Sequence, residues 1–388
     1  MSINTTLRCT AFEELMFAQD SPQYPCVIVG RTHVRGTIVR KWFEEAIEQM
    51  IRRHPLFRAR RRMRWGRSAW EIQTEPKYKI EWVAKRADST WADDSYVDLR
   101  KEMGLHVTVE EQREDSFLVF RVHHAIVDGL GYFNALHDMW AIYHSLATST
   151  PLNLPEIKED ELPNRNHFGM TWRKLLETIP RQVIGLAGIR QFIMRRPVPL
   201  IAHSLFWGSS AVPLPVEVVN HRFDQSLSKA IVEAAKRLKV SHNDLIASCI
   251  FRACEAFRAS STEQTDSDWL RMMVPVSMRT TKTDFQQTAC NIVSSVFLDR
   301  TPVQIRDRDY LLDSIHKEME LIKINRLALM FILSIWLQKI TLFRDISAHP
   351  PSKCPASLVF TNLGKVYRRS PLCDDQQCHT KLIHFFSL

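Results

Sequence analysis

Nowhere in its 388 residues does the chain run to about 18 consecutive apolar residues, the length a helix needs to span a bilayer, so no membrane-spanning segment is expected. The opening M-S-I-N-T-T-L-R-C-T lacks the apolar core of a secretory signal, and export is not expected. Eight cysteines lie scattered without paired spacing, which fits reduced thiols in a cytoplasmic protein and not a disulfide framework. No recognisable elbow marks a serine, cysteine or lysine nucleophile. No known nucleic-acid-binding module surrounds the basic residues. Charged residues make up only 24% of the chain against 45% hydrophobic, a globular balance that can bury substantial cores. The charge is lopsided at a formal +9, which calls for an anionic partner or surface.

What is present centres on 116–146, S-F-L-V-F-R-V-H-H-A-I-V-D-G-L-G-Y-F-N-A-L-H-D-M-W-A-I-Y-H-S-L. Phe117 to Val122 is almost unbroken apolar, β-branched or aromatic, the composition of a strand covered on both faces. His123 and His124 end it, and Asp128-Gly129 makes a turn. From Leu130 the spacing of Phe133, Leu136, Trp140, Tyr143 and Ala147 predicts a helix with one apolar stripe. Asp128 is its expected N-cap, because a carboxylate there accepts a free first-turn N–H.

A side chain at the end of a buried strand is held rigidly yet can face a cleft. Neighbouring strand residues point to opposite faces, so only one of the two histidines can line a given site. Histidine is the side chain whose ordinary pKa suits proton transfer near neutral pH. Asp128, inside a tight turn, is expected to fix that turn. A shared metal is not expected, since opposite-facing neighbours are poorly placed to ligate one ion and no third ligand stands at fixed spacing.

His123-His124-Ala125-Ile126-Val127-Asp128-Gly129 resembles the H-H-x-x-x-D-G signature of the condensation-domain-like acyltransferases. That superfamily has a chloramphenicol-acetyltransferase-like fold, and the likeness is nearest to its wax-ester-synthase-like and polyketide-associated branches. Thr10-Ala11-Phe12-Glu13-Glu14, Arg53-His54-Pro55-Leu56-Phe57-Arg58, Val274 to Arg279 with Asn291, and Ser357 to Gly364 resemble further stretches of the family. The resemblance implies an α/β fold of two lobes, mixed sheets flanked by helices, and an active-site tunnel between the lobes. It implies transfer of an acyl group from acyl-CoA or an acyl-carrier protein to an alcohol or amine. His124 would be the general base, Asp128 would brace the loop against Arg279, His123 would be structural and Gly129 would permit the turn. Thr361 and Asn362 would sit near the substrate carbonyl. No metal or redox cofactor is implied, the thioester carrier being a substrate. A relative without activity that binds a carrier or partner is the alternative.

In chain order, residues 26–35, 70–73 and 80–83 are expected as strands, and Ile38 to Arg52 as a helix with Phe43, Ile47 and Ile51 on one stripe. Eight of the sixteen residues from Arg52 to Arg67 are arginine. That run reads as an edge strand guarded by charge, or as a contact for CoA phosphates or a carrier protein; nucleic acid is not expected. Residues 148–166, rich in proline and acid, read as a linker or surface loop. Residues 172–193 mix apolar and basic residues at helical spacing, and packing against the protein is preferred to peripheral membrane contact. Residues 218–223 are expected as a strand, 227–238 as a helix, and Ser241-His242-Asn243-Asp244 as the start of another that carries Cys249 and Cys254 as core thiols. Strands are expected at 269–276, 292–298 and 357–360, with helices at 310–322 and 327–337.

The expected division is an N-terminal lobe at 1–150, a linker with a basic amphipathic helix at 151–215, and a C-terminal lobe at 216–388. The sequence ends soon after its N-L-G loop, where related chains continue, so a truncated second lobe is expected. Cys373, Cys378, His379 and His384 match no familiar zinc spacing.

Overall fold

The computed structural model describes residues 5–22, 25–64, 66–84, 96–111, 115–157, 159–167, 172–200, 219, 221–261, 265–279, 288–338, 355–364 and 378–384. Its contacts divide the chain into two compact units, and neither is contiguous. The first comprises Met1–Gly169, Met278–Ile292 and Leu363–Ser387; the second comprises Met170–Ser277 and Val293–Asn362. This differs from a contiguous partition at 150 and 215. Residues 151–169 join the first unit, the basic helix joins the second, and two later segments return to the first.

In the first unit the apolar runs form β1 (Thr5–Arg8), β2 (Val27–Arg35), β3 (Ala59–Arg64), β4 (Arg67–Ile72), β5 (Lys79–Ala84), β6 (Leu105–Glu111), β7 (Asp115–His123) and β11 (Cys378–His384). One mixed sheet has the order β11-β2-β7-β6-β5, antiparallel except for the parallel pair β5–β6. A second, antiparallel sheet runs β1-β4-β3, so the arginine-rich β3 is an edge strand. Several of its arginines are engaged locally: Arg62 pairs with Glu71 and Arg61 lies over the Phe17 ring, while Arg64 and Arg67 are exposed. Trp65 lies outside the described residues.

Helices α1 (Ala11–Gln19), α2 (Arg40–Arg53) and α3 (Gly129–Thr148) complete this unit. The predicted stripes meet in one core, where Phe43, Ile47 and Met50 of α2 and Leu136, Met139 and Trp140 of α3 join Leu118 and Phe120 of β7. Burying such side chains stabilises by about 1.5–3 kcal/mol each. The segment expected as a surface loop is tied down. A 3₁₀ turn at Glu159–His167 buries Leu162 and Arg165, and the Arg165 guanidinium meets the fully buried Glu13 carboxylate at 2.6 and 2.7 Å.

The second unit contains α4 (Trp172–Met194), α5 (Gln225–Arg237), α6 (His242–Ser261), β8 (Leu270–Ser277), β9 (Val293–Arg300), α7 (Pro302–Arg306), α8 (Arg308–Asn325), α9 (Ala328–Gln338) and β10 (Leu358–Val359). Its sheet has the order β10-β8-β9, with β10 parallel to β8 and β9 antiparallel. The buried Arg271 of β8 pairs with Asp299 of β9 at 2.7 Å and lies over the Phe192 ring. Two expectations fail here. Val218 and Asn220 lie outside the described residues, and 219 and 221–223 form no strand. Cys249, expected in the core, is exposed, while Cys254, on the same helix, is half-buried.

Candidate active site

Strand β7 delivers the histidine pair and ends at His123, and His124 is the first residue of the turn that follows. Both are buried, but their surroundings differ. The His123 Nδ1 accepts from the Ala125 N–H at 3.1 Å, and its Nε2 lies 3.3 Å from Asp20 Oδ2. Those partners assign the Nε2–H tautomer and occupy both nitrogens, so His123 is a structural bracket between the turn and the segment after α1. Asp20 also accepts from the Cys26 N–H at 2.8 Å, and the Cys26 carbonyl accepts from the His124 N–H at 2.8 Å.

The protonation of the His124 side chain is set first by its burial. Burial pushes its pKa down to about 4, against smaller opposing pulls from a backbone hydrogen bond and from Asp128. The imidazole is therefore neutral at pH 7, the state a proton acceptor requires. The residue is only 4% exposed.

Asp128 caps α3, its Oδ1 accepting from the Gly131 N–H at 2.8 Å. Oδ2 accepts from Arg279 Nη1 at 2.6 Å and from the Ile292 N–H at 2.8 Å. With its oxygens engaged in this way, the carboxylate is a brace. Arg279 also donates through Nη2 to the Cys290 carbonyl at 2.8 Å. Asn291 Nδ2 donates to the His124 carbonyl at 2.7 Å, and the Ala289 N–H donates to His54 Nδ1 at 3.0 Å. The segment Met278–Ile292 is thus fastened at its described ends to the histidine turn, to the α3 cap and to the residue after α2.

Gly129 opens α3 without a left-handed backbone, so it is not needed for an unusual φ. The demanding glycine is Gly131. A Cβ there would stand 2.6 Å from Val127 Cγ2 and 3.1 Å from the Cys290 carbonyl oxygen.

Thr361 and Asn362 lie on the exposed loop after β10, in the second unit, and the Asn362 amide donates to Asn243 Oδ1 at 2.6 Å. A separate open groove of about 440 Å³ in the first unit is lined by Gln49, Arg52, Arg53, Leu154 and Glu156. Its cations are already paired, Arg52 with Glu48 and Arg53 with Asp138, so they offer little to a phosphate. Among the described residues no cluster of three His, Cys, Asp or Glu is placed to hold a metal ion. Cys373 lies outside those residues.

No family profile matches the sequence, and no curated protein does. Solved structures do match in fold. The first condensation domain of the CDA synthetase superposes with a TM-score of 0.69 at 11% identity, covering 98% of this chain and 85% of that one. The chain has the condensation-domain fold. The starter condensation domain of rhizomide synthetase RzmA, solved with C8-CoA and Leu-SNAC, gives a TM-score of 0.61 at 14% identity over 92% of this chain and 78% of that one. The epimerization domain of tyrocidine synthetase B gives 0.59 at 12% identity over 85% and 75%. One fold therefore carries more than one reaction, and the chemistry of a condensation fold has to be argued from its site.

Three parts of this arrangement were not read from the sequence: Asp20 behind His123, His54 under Ala289, and the Glu13–Arg165 pair. Each joins residues distant in sequence and follows no local spacing. The second glycine of D-G-L-G is the local mark of the close approach at Gly131.

Proposed function

We propose that the chain is an acyltransferase. It moves an acyl group from a thioester, on CoA or on a carrier protein's phosphopantetheine, to a hydroxyl or amine acceptor. His124 takes the acceptor's proton as the oxygen or nitrogen attacks the thioester carbonyl. The carbon–sulfur bond then breaks, and the proton passes to the departing thiolate. Asp128 and Arg279 hold the turn, and His123 sets its entry. Asn291 grips the His124 carbonyl through Nδ2; its buried Oδ1, unpartnered among the described residues, offers an acceptor to a donor on a bound molecule. The observation that carries the reading is a buried imidazole on a turn braced by residues 20–26 and by 278–292.

The test is incubation of purified protein with mixed acyl thioesters and candidate alcohols or amines, with new esters or amides found by mass. His124→Ala should lower turnover by roughly 10²- to 10⁴-fold in a folded protein. Undiminished turnover rejects the role.

The small exposure of His124 favours a second reading, a condensation-fold protein that binds an acyl carrier or partner without turnover. Binding of thioester with no product from any acceptor would select it.

A further inference from the structure

Among the described residues, helix α4 packs through one side and leaves large apolar side chains exposed elsewhere. Thr178 and Gly185 are buried, the Gln182 amide donates to the Asn325 carbonyl at 2.9 Å, and Phe192 packs on Phe297 with ring centroids 4.8 Å apart. A Cβ on Gly185 would stand 2.6 Å from Met330 Cγ, so the helix sits tightly against α9. At 100° per residue these positions fall on one side. On the outward side lie Leu176, Val183, Ile184, Leu186, Ile193 and Met194, each between 44% and 66% exposed. From 176 to 194 they spread over about half of the helix circumference, along a length of about 27 Å. A soluble surface seldom leaves so many large apolar side chains on one helix uncovered.

Positive charge lies among and beside these residues. Arg173, Arg181, Arg190 and, just past the helix, Arg196 are exposed, and none makes an ion pair among the described residues. Within α4 itself four basic residues stand against one acid, Glu177. We infer that the outward face of α4 rests on an anionic lipid bilayer, its apolar side chains among the acyl chains nearest the headgroups and its arginines on acidic headgroups. A second copy fits this face poorly, because pairing it with itself sets arginine against arginine. An acidic protein also fits less well. Gln191 is the main uncharged polar group among these residues, whereas protein interfaces carry about one hydrogen bond per 100–200 Å². The inference does not depend on the proposed acyl transfer.

Flotation of the full chain with vesicles tests it. The protein should float with phosphatidylserine-containing vesicles at low salt, far less with phosphatidylcholine alone, and progressively less as salt rises. Val183→Glu/Leu186→Glu, both at exposed positions, should abolish flotation while leaving the far-ultraviolet circular dichroism unchanged. Replacing Arg173, Arg181 and Arg190 by glutamine should weaken binding roughly fivefold per arginine. Failure of the unaltered chain to float with anionic vesicles at low salt overturns the inference. So does undiminished flotation of the folded double variant. Binding to poly-glutamate but not to vesicles would assign the face to an acidic protein instead, and self-association abolished by the same substitutions would assign it to a second copy.

Discussion

The chemistry at the residue scale rests on the contrast between two adjacent imidazoles. His123 has a partner on each nitrogen, whereas His124 is held neutral by burial. Asp128 makes the turn possible by taking three donors at once, from Gly131, Arg279 and Ile292. Asp128→Asn keeps the volume but leaves the buried Arg279 charge without its partner. It should lower unfolding stability by about 3–5 kcal/mol, read from urea denaturation, because breaking one side of a buried pair strands the other. A loss below 1 kcal/mol would mean that the brace is not structural. Sequence alone made this aspartate legible as a cap, since an acid before a helical stripe has a local signature. The Arg279 contact came from resemblance and not from spacing, as 151 residues separate the pair.

Helices and strands repeat the same lesson one scale up. Periodicity marked α2, α3, β2 and β7 because each buries a continuous face, and buried faces write themselves into local spacing. Composition marks 148–166 as a linker or surface loop, and most of its described residues are exposed, yet Leu162 and Arg165 within it are buried. What fixes that stretch is one buried ion pair, Arg165 with Glu13, to which Trp70 also donates at 2.9 Å. A single arginine among prolines and acids carries no period, so nothing local announces it. Arg165→Met should strip Glu13 of its cation while Trp70 and the Thr10 N–H still donate to it. The expected cost is about 3–5 kcal/mol, measured by the urea midpoint, with earlier proteolytic cleavage in 151–167. Unchanged stability and cleavage would show that the segment is held otherwise. The arginine-rich β3 is the opposite case. Its composition suited an edge strand, and the sheet order makes it one.

For the whole molecule, acid should act in two stages. His124 has a folded pKa near 4, below the ordinary 6.5, so between those values the unfolded chain binds the extra proton. Its contribution to stability is full above about pH 6.5 and is lost as pH falls through 4, on the order of a few kcal/mol. Asp138 adds a second stage. Burial alone would raise its pKa, but His137, His54 and Arg53 overcome that and hold the carboxyl well below the usual carboxylate range. Its contribution is lost only at stronger acid. Urea midpoints measured from pH 7 to 4 should fall for the unaltered chain and fall less for a folded His124→Gln variant. Parallel slopes would remove His124 as the cause. The two-unit α/β class was legible from motif and pattern. The division was not, because a segment's return to an earlier core leaves no mark in composition.

That return has a consequence for how the chain is made. The guanidinium that braces the histidine turn arrives 151 residues after the aspartate it meets. Asn291 and Ile292 follow later still, and the β11 segment that pairs with β2 comes after them. During synthesis, Asp128 therefore waits for its guanidinium until the segment 278–292 has left the ribosome. Cutting the gene between the units would therefore not yield two free-standing proteins. The natural seam for a split-protein experiment is one that leaves 278–292 in trans, and reassembly would then report directly on the brace.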